Sequence, residues 1–121
     1  MSRPATCDVT LVEAINMALE WEMQHDQSVV VLGEDIATNG GVFRATVGLK
    51  DRFGFKRVMD TPLAENLIAG TAIGMATQGL RPVAEFQFMG FIYSAMEQIV
   101  SHASRMRNRT RGRLRDRKSV V

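Results

Sequence analysis

The stretch SVVVLGED, residues 28–35, decides the fold class of this 121-residue chain. Its consecutive apolar residues, 29–32, predict a strand over 28–33 that is buried on both faces, because a strand with one wet face alternates apolar and polar residues. Strands of this kind are typical of parallel sheets that are covered by helices. The stretch therefore predicts an α/β fold, with a parallel sheet flanked by helices.

The sequence before this strand predicts a helix. Thr10 followed by Glu13 forms a capping box, in which the Thr oxygen accepts from an orphan amide and the Glu reaches back to the cap amide. The helix is expected to open at Thr10 and to run to about Gln24. Its apolar stripe consists of Leu11, Ala14, Ile15, Ala18 and Leu19. Such a stripe is typical of an amphipathic helix.

After the strand, helical and extended patterns alternate. The predicted elements are a short helix around 45–53, a strand over 57–60, a helix over 66–78, a strand over 82–86 and a helix from 91 to about 107. Gly70 and Gly74 each cost their helix about 1 kcal/mol relative to Ala, so a neighbouring backbone is expected to approach it closely. The alternation predicts right-handed crossovers between parallel strands.

Polar segments follow the three predicted strands, at 33–35, 60–65 and 87–90. In open parallel sheets, ligands bind beyond the carboxyl ends of the strands, and these ends lie at one edge. The sequence therefore predicts a binding site at this edge, without naming a reaction.

Composition excludes several classes of protein. No apolar run reaches the roughly 18 to 20 residues that a membrane-spanning helix needs, and the opening residues lack the apolar centre of a secretory signal. The single cysteine, Cys7, excludes an internal disulfide and a Cys-based zinc site, and it fits a reducing compartment. His25 and His102 have no partner at metal-ligand spacing, so packing or surface roles are favoured.

Charge is distributed unevenly along the chain. The net charge is +2, but residues 105–121 hold eight of the 15 basic residues and only one acidic residue, Asp116. Residues 1–104 are therefore mildly acidic, which argues against a nucleic-acid-binding domain as a whole. For the basic tail, a solvated terminus is favoured over nonspecific phosphate binding.

Residues at the predicted edge also have structural interpretations. Glu65 lies at a helix start, where the helix dipole stabilises a carboxylate by ~0.3–1 kcal/mol. Glu34 and Asp35 could form a solvated strand end. The Gly40-Gly41 pair lacks the spacing of a dinucleotide fingerprint and the Lys of a P-loop, so a flexible turn is favoured.

The aromatic residues after the third predicted strand leave two interpretations open. Their rings could pack in the core, or they could stack on a planar cofactor. The residues concerned are Phe86, Phe88 and Phe91.

Together these segments resemble the beta subunit of a thiamine-diphosphate-dependent 2-oxo acid dehydrogenase of the pyruvate dehydrogenase type, with branched-chain and acetoin dehydrogenases as near relatives. The strings that carry the resemblance are VVVLGEDIATNGGVFRATVGL (29–49), RVMDTPLAENLIAGTAIGMATQGLRPVAEFQF (57–88) and MGFIYSAMEQIVSHASRMRNRTRG (89–112). The resemblance implies that residues 10–112 are the N-terminal part of a transketolase-like pyrimidine-binding domain. A leader, 1–9, precedes it, and a divergent basic tail, 113–121, follows.

The resemblance implies roles for individual residues. Glu65 matches the glutamate that contacts N1′ of the aminopyrimidine, with Leu63 and Ala64 beside it, and Glu34 matches a further acid of the cofactor pocket. The other cofactor contacts implied are Gln87, Phe91, Ile92, Tyr93 and Ser94. The substrate-facing loop implied is Phe88, Met89, Gly90 and Phe91.

The chemistry of the family explains the need for a carboxylic acid at Glu65. Its hydrogen bond to N1′ favours the imino tautomer of the ring, and the imino nitrogen then removes the C2 proton of thiamine. The resemblance thus implies a dry pocket in which burial raises the pKa of the Glu65 carboxyl toward the proton-shuttling range. Oxidative decarboxylation of pyruvate or a related 2-oxo acid, with acyl transfer to a lipoyl group, is the implied reaction.

The resemblance also implies partners and a location. The assembly expected is two alpha and two beta subunits, with the diphosphate and its magnesium held mainly by alpha and no metal ligand assigned to this chain. A lipoyl-bearing dihydrolipoyl acyltransferase is expected to accept the acyl group, and neither a membrane nor a nucleic acid is an expected partner. The expected location is the cytoplasm in a bacterium, or the mitochondrial matrix in a eukaryote.

The chain departs from the family pattern after Gly112. There it reads RLRDRKSVV, where the family continues into another buried strand. A truncated or frameshifted product, inactive by itself, is therefore expected. Two alternatives stay open: a noncatalytic interaction fragment of the same family and, ranked last, a nucleic-acid binder with a basic tail.

Overall fold

A three-stranded parallel sheet forms the centre of the computed structural model, which describes residues 8–114. Strand β1, Val29–Gly33, lies between β2, Val58–Asp60, and β3, Arg81–Ala84. Val31 of β1 is in register with Val58 on one side and with Val83 on the other. All five residues of β1 are buried, as the unbroken apolar run predicts, and the parallel α/β class is confirmed.

Helices connect the strands in the predicted order. Their bounds are α1, Leu11–His25; α2, Leu49–Phe53; and α3, Glu65–Thr77. The capping box at the start of α1 is present, since Glu13 N–H donates to Thr10 Oγ1 and Thr10 N–H donates to Glu13 Oε2. No helix among residues 8–114 is long and apolar enough to cross a bilayer.

The helix predicted from 91 to about 107 is confirmed in extent, because residues 89–109 are helical without a break, but it is not a regular α-helix. The chain forms a 3-10 helix at Met89–Ala95, a π-helix at Gln98–Ala103 and then α4, Ser104–Arg109. The hydroxyl of Ser94 donates to Phe91 O at 2.7 Å, and that of Ser104 donates to Val100 O at 2.5 Å. Such bonds compete with the regular backbone pattern, but Thr77 in α3 makes one to Gly74 O at 2.7 Å without a change in helix type, so they do not by themselves explain the 3-10 and π segments.

The hydrophobic core lies mainly between α1, the loop after β1, α2 and the sheet. It consists of Met23, Val29, Val31, Ile36, Leu49 and Val58. The apolar stripe of α1 is largely outside this core: Leu11 is 77% exposed and Ile15 is 42% exposed, while Leu19 packs against the cluster. Ala14 and Ala18 are also exposed, so within the described part of the chain Leu19 is the stripe residue that packs against the core.

The second half of α1 is held to the sheet by polar contacts. Arg57 donates to Val29 O at 2.7 Å and to Met23 O at 3.1 Å, and Arg81 pairs with Asp26 at 2.8 Å. Hydrogen bonds from Ser28 and then from Arg81 lower the pKa of Asp26 to about 2. This pair therefore remains ionised at neutral pH and ties the end of α1 to β3.

Two parts of the sequence fall outside the described residues. They are most of the leader, 1–7, with Cys7, and the end of the basic tail, 115–121. Within the described range, Arg105, Arg107 and Arg109 of α4 are exposed, as expected of a solvated basic segment.

The glycines of α3 differ in what surrounds them. A Cβ atom added at Gly70 would lie 3.3 Å from Gln98 Oε1, so the close neighbour there is a side chain and not the backbone that we expected. A Cβ atom added at Gly74 would meet nothing within 4 Å. Gly70 is therefore explained by packing, and Gly74 is not.

We expect Gly74→Ala to stabilise the chain by about 0.5–1 kcal/mol, because Ala loses less backbone entropy in a helix interior. Urea unfolding of the full chain measures this change. Gly70→Ala is the matched control and should gain less, since Gln98 has to move. A loss of stability in Gly74→Ala would show that this face of α3 is covered.

Candidate functional site

The three predicted polar segments meet at the carboxyl edge of the sheet. Thr61 N–H donates to Gly33 O, and Glu85 N–H donates to Leu32 O, each at 2.9 Å. The chain segments that leave β2 and β3 are thus fixed on either side of the end of β1. Since β3 ends at Ala84, two residues before the predicted end, Glu85 also belongs to this edge.

Glu65 begins α3 close after the carboxyl end of β2 and is partly buried. Its Oε2 lies 3.4 Å from the hydroxyl of Ser94, which donates to Phe91 O. Asn66 also connects α3 to the helical segment after β3. It donates to Ser94 O at 3.4 Å and accepts from Gln98 at 3.1 Å. Glu65 and Ser94, far apart in sequence, are therefore brought together.

The remaining predicted cofactor residues are only partly gathered. Leu63 is 71% exposed and Tyr93 is 76% exposed, while four others are partly buried. These four are Glu34, Ala64, Gln87 and Ile92. Within residues 8–114 no hydrogen bond joins Glu34 to Glu65, and the expected dry pocket around Glu65 is not closed by this part of the chain.

The predicted substrate-facing loop forms an aromatic surface. The rings of Phe88 and Phe91 meet edge to face with centroids 5.4 Å apart, and both residues are about half exposed, at 47% and 48%. Met89 is 80% exposed, and Gly90 is also exposed. Core packing, one of the two interpretations of these rings, is therefore wrong for Phe88 and Phe91 within the described chain. Phe86, the third ring, is partly buried.

Phe43 completes this surface and was missed by sequence reasoning. Its ring meets Phe88 edge to face at 5.4 Å, so Phe43, Phe88 and Phe91 form a row of three rings. Phe43 lies in the loop after β1 and is 51% exposed. No periodicity or spacing links it to Phe88, because the contact depends on how this loop folds over the edge.

The loop after β1, residues 34–48, has an unusual backbone conformation. Gly40 and Gly41 adopt φ of 79° and 75°, and the non-glycine residues Asp35 and Arg44 adopt φ of 54° and 63°. A non-glycine residue at positive φ is disfavoured and persists only where its surroundings enforce it. The sequence favoured a flexible turn at Gly40-Gly41, whereas both glycines are buried and join the turns at 34–39 and 42–43, a link that we call the Gly40-Gly41 turn.

Several contacts enforce this conformation. Thr46 is buried and donates to Ile36 O at 2.8 Å. Asn16 of α1 donates to Ala45 O at 2.8 Å and to Val47 O at 3.1 Å. At the opposite end of the loop, Ala37 N–H donates to Asp60 at 2.7 Å. The loop is therefore attached to α1 and to the end of β2.

Glu85 is the second residue that sequence reasoning missed. Its carboxyl lies under the Gly40-Gly41 turn, where a Cβ atom added at Gly41 would be 3.0 Å from Oε1 and 3.1 Å from Oε2. Oε2 is buried and has no hydrogen-bond partner among residues 8–114. Burial raises the pKa of this carboxyl above its ordinary value of 4.5. A two-residue error in the end of β3 hid it, because position 85 was predicted as a strand residue.

This raised pKa predicts the pH dependence of stability. A carboxyl whose pKa is higher in the folded state contributes no penalty below pH 4.5, and it destabilises the folded state as pH rises through the folded-state pKa. We therefore expect Glu85→Gln to match the unmodified chain in thermal unfolding at pH 4 and to melt a few degrees higher at pH 8. The other charged residues on the surrounding segments, Glu34, Asp35 and Arg44, are the same in the unmodified chain and in Glu85→Gln, so their titration does not contribute to the difference in melting temperature. A melting difference that is the same at both pH values would contradict this account.

Comparison with known proteins found one matching family and several similar proteins. The family described as transketolase, pyrimidine binding domain, matches residues 8–116. The chain is 55% identical over 104 residues to the pyruvate dehydrogenase E1 component subunit beta of Acholeplasma laidlawii, covering 86% of this chain and 32% of that protein. It is 54% identical over 107 residues to the 3-methyl-2-oxobutanoate dehydrogenase subunit beta of Mycobacterium tuberculosis, covering 88% of this chain and 31% of that protein.

A third relative matches this chain with similar identity and coverage. The 2-oxoisovalerate dehydrogenase subunit beta of Bacillus subtilis is 53% identical over 102 residues, which cover 84% of this chain and 31% of that protein. The chain thus spans about a third of the length of the curated relatives it matches. Relatives named for pyruvate and relatives named for branched-chain 2-oxo acids match almost equally well.

Proposed function

This chain belongs to the family of transketolase pyrimidine-binding domains, and from this premise we propose that it supplies the pyrimidine side of a thiamine diphosphate site in a 2-oxo acid dehydrogenase. The observation that carries the proposal is the position of Glu65. It begins α3 at the carboxyl edge of a parallel sheet, where such folds bind ligands. Two relatives that are 55% and 54% identical to this chain over the aligned 104 and 107 residues are named as beta subunits of 2-oxo acid dehydrogenases.

The residues around Glu65 fit an aminopyrimidine ring. The carboxyl is only partly covered, so a ring nitrogen can reach it, and the Ser94 hydroxyl lies 3.4 Å from its Oε2. Gln87 would supply a further polar group, and the half-exposed ring of Phe91 would stack on a planar heterocycle. Leu63, Ala64, Ile92 and Tyr93 would complete the apolar walls, and Glu34 would be a further acid of the pocket.

The function of Glu65 in this site is to hold a proton at a ring nitrogen. When bound, thiamine diphosphate supplies the electron sink that decarboxylation of a 2-oxo acid requires. A carboxyl can give a proton to the ring nitrogen and take it back, which sets the tautomer of the aminopyrimidine, whereas an amide can form a hydrogen bond there but cannot transfer a proton. Exclusion of water from Glu65 would strengthen this interaction.

The cover for Glu65 would come from an alpha subunit. In the described part of the chain, Leu63, Met89 and Tyr93 are strongly exposed apolar or aromatic residues beside the site, and such surfaces are typical of interfaces. We assign the diphosphate and its magnesium to the alpha side, within an assembly of two alpha and two beta subunits. A lipoyl-bearing acyltransferase would then receive the acyl group.

The row of aromatic rings would face the substrate. Phe88, Met89, Gly90 and Phe91 lie at the same edge as Glu65 and present apolar surface beside it. Apolar surface suits the side chain of a 2-oxo acid, whose carboxylate and carbonyl would bind elsewhere. Both pyruvate and a branched-chain 2-oxo acid are compatible with this surface.

Calorimetric titration of thiamine diphosphate, with magnesium, tests this proposal. The samples are the full chain with an alpha subunit of the family, the alpha subunit alone and the chain alone. We expect tight, saturable binding only in the mixture, and at least tenfold weaker binding with Glu65→Ala. Glu97→Ala removes an exposed carboxylate as the matched control. A mixture that binds no more tightly than the alpha subunit alone would refute the proposal, even if the two chains associate.

A further inference from the structure

Glu85 lies at the carboxyl edge and has no role in the site described so far. We propose that Glu85 is a positioning residue for the substrate-facing segment, Phe88–Phe91, and that it acts through the Gly40-Gly41 turn and Phe43. The structural part of this inference stands on contacts within the chain, and its substrate part rests on the proposed function.

The first step is the contact between Glu85 and the turn. The Glu85 backbone is fixed to β1, because its N–H donates to Leu32 O at 2.9 Å. Its side chain occupies space that two glycines leave free: an added Cβ atom would lie 3.0 Å from Glu85 Cβ at Gly33, and 3.0 Å from Glu85 Oε1 at Gly41. The carboxyl therefore fills the space directly beneath the turn and limits how far the turn can move inward.

The second step is the coupling of this turn to Phe43. Arg44 N–H donates to Gly41 O at 3.2 Å, and Thr46 N–H donates to Gly40 O at 3.2 Å. Phe43 lies inside the first of these closed turns, and its backbone position follows that of Gly41. A Cβ atom added at Gly40 would be 2.4 Å from the Val47 side chain, so the turn is closely packed on its other side as well.

The third step runs from Phe43 to the substrate-facing segment. The ring of Phe43 meets that of Phe88 at 5.4 Å, and Phe88 meets Phe91 at 5.4 Å, both edge to face. Phe88 is also only three residues from Glu85 in sequence. The segment is thus held at its start by the strand end and on its flank by a ring whose position depends on Glu85.

The buried oxygen of Glu85 argues that stability alone does not account for this side chain. Oε2 has no partner among residues 8–114, and burial of an unpartnered polar atom is unfavourable. A buried carboxyl without a partner does not stabilise the fold. The Glu85 side chain is, however, long enough for its carboxyl to contact Gly41. Gln has the same length, and Ala would leave the turn unsupported.

Hydrogen exchange of the full chain, read by mass spectrometry, tests the inference without a cofactor or a partner. We expect Glu85→Ala to accelerate exchange at least tenfold in residues 37–47 and 86–94, while strand residues 29–33 keep their protection. Glu85→Gln should restore slow exchange in both loops. Phe43→Ala should accelerate exchange in 86–94, and Phe55→Ala, which removes an exposed ring elsewhere, should change neither segment.

Two results would overturn the inference. One is unchanged exchange in 86–94 for Glu85→Ala with the strands protected. The other applies if Glu85→Ala loses protection throughout the chain, in which case the test depends on Phe43→Ala. Unchanged exchange in residues 86–94 of Phe43→Ala would then overturn the inference.

Kinetics of the chain assembled with an alpha subunit separate this inference from the proposed function. We expect Glu85→Ala to raise KM for the 2-oxo acid at least fivefold with a smaller change in kcat, and Glu85→Gln to restore KM. An unchanged KM in an active assembly would overturn the substrate part of the inference. Failure of the unmodified chain to contribute to thiamine diphosphate binding would overturn the proposed function instead, and the exchange results would be unaffected.

Discussion

Glu65→Gln is expected to lower 2-oxo acid decarboxylation at least 100-fold when the chain is assembled with an alpha subunit, since general acid–base groups contribute about 10²–10⁴ in rate. The amide has almost the same shape and can still bond a ring nitrogen, but it cannot exchange a proton there. The measurement is release of CO₂ from a carboxyl-labelled 2-oxo acid at saturating thiamine diphosphate. The saturating cofactor separates a loss of chemistry from a loss of binding.

Two further variants make this result specific. Glu97→Gln changes an exposed carboxylate of the same charge and should keep near-normal turnover. Glu65→Asp keeps the acid but shortens its reach by one methylene, so an intermediate rate is expected. Turnover of Glu65→Gln within threefold of the unmodified chain would mean that the carboxyl does not handle a proton in this reaction.

Gly40→Ala is expected to destabilise the chain by about 3 kcal/mol. Placing an L-residue at the left-handed φ of 79° costs roughly 1–2 kcal/mol, and overpacking adds roughly 1–3 kcal/mol. The overpacking arises because the new Cβ would lie 2.4 Å from Val47 Cγ2 and 2.9 Å from the Val47 Cα. Urea and thermal unfolding of the full chain measure the loss.

Gly48→Ala separates the two causes of this loss. Gly48 has nearly the same φ, 78°, with left-handed ψ of −14°, but an added Cβ there would meet nothing within 4 Å. We therefore expect Gly48→Ala to lose only the backbone part, about 1 kcal/mol. Equal losses for both variants would show that the loop after β1 yields easily, and this would also weaken the argument that its backbone positions Phe43.

The elements that carry a strong local signal were predictable. The run Val29–Leu32 identified the central strand because only a strand covered on both faces tolerates such a sequence. The capping box fixed the start of α1, and the polar segments after each strand located the edge where Glu65 lies. These predictions depend on residues that are neighbours in sequence.

The features that were not predictable depend on contacts between distant segments. Phe43 meets Phe88, and Glu85 lies under Gly41, only because the loop after β1 folds back over the sheet edge. The helix predicted over 91–107 is present, but its 3-10 and π segments were not predictable. Periodicity reports which face of a helix is apolar, and it does not report the hydrogen-bond pattern of the backbone.

The apolar stripe of α1 shows a different limit of sequence reasoning. Leu11 and Ile15 follow the period of a packed helix, yet within the described chain they are exposed. A periodic pattern states that a face favours burial, and it does not name the element that covers that face. The same holds for Leu63 and Tyr93 beside Glu65, and their exposure is why we propose that a second subunit completes the pocket.

The position of Glu65 relative to the aminopyrimidine is the most direct test of the central claim. A crystal structure of the chain in complex with an alpha subunit and thiamine diphosphate would measure it. We predict that a Glu65 carboxylate oxygen lies about 2.6–3.0 Å from N1′ of the ring, at hydrogen-bond distance and shielded from water. A Glu65 side chain that points into bulk solvent, with the ring bound beyond its reach, would contradict the proposed site and the mechanism built on it.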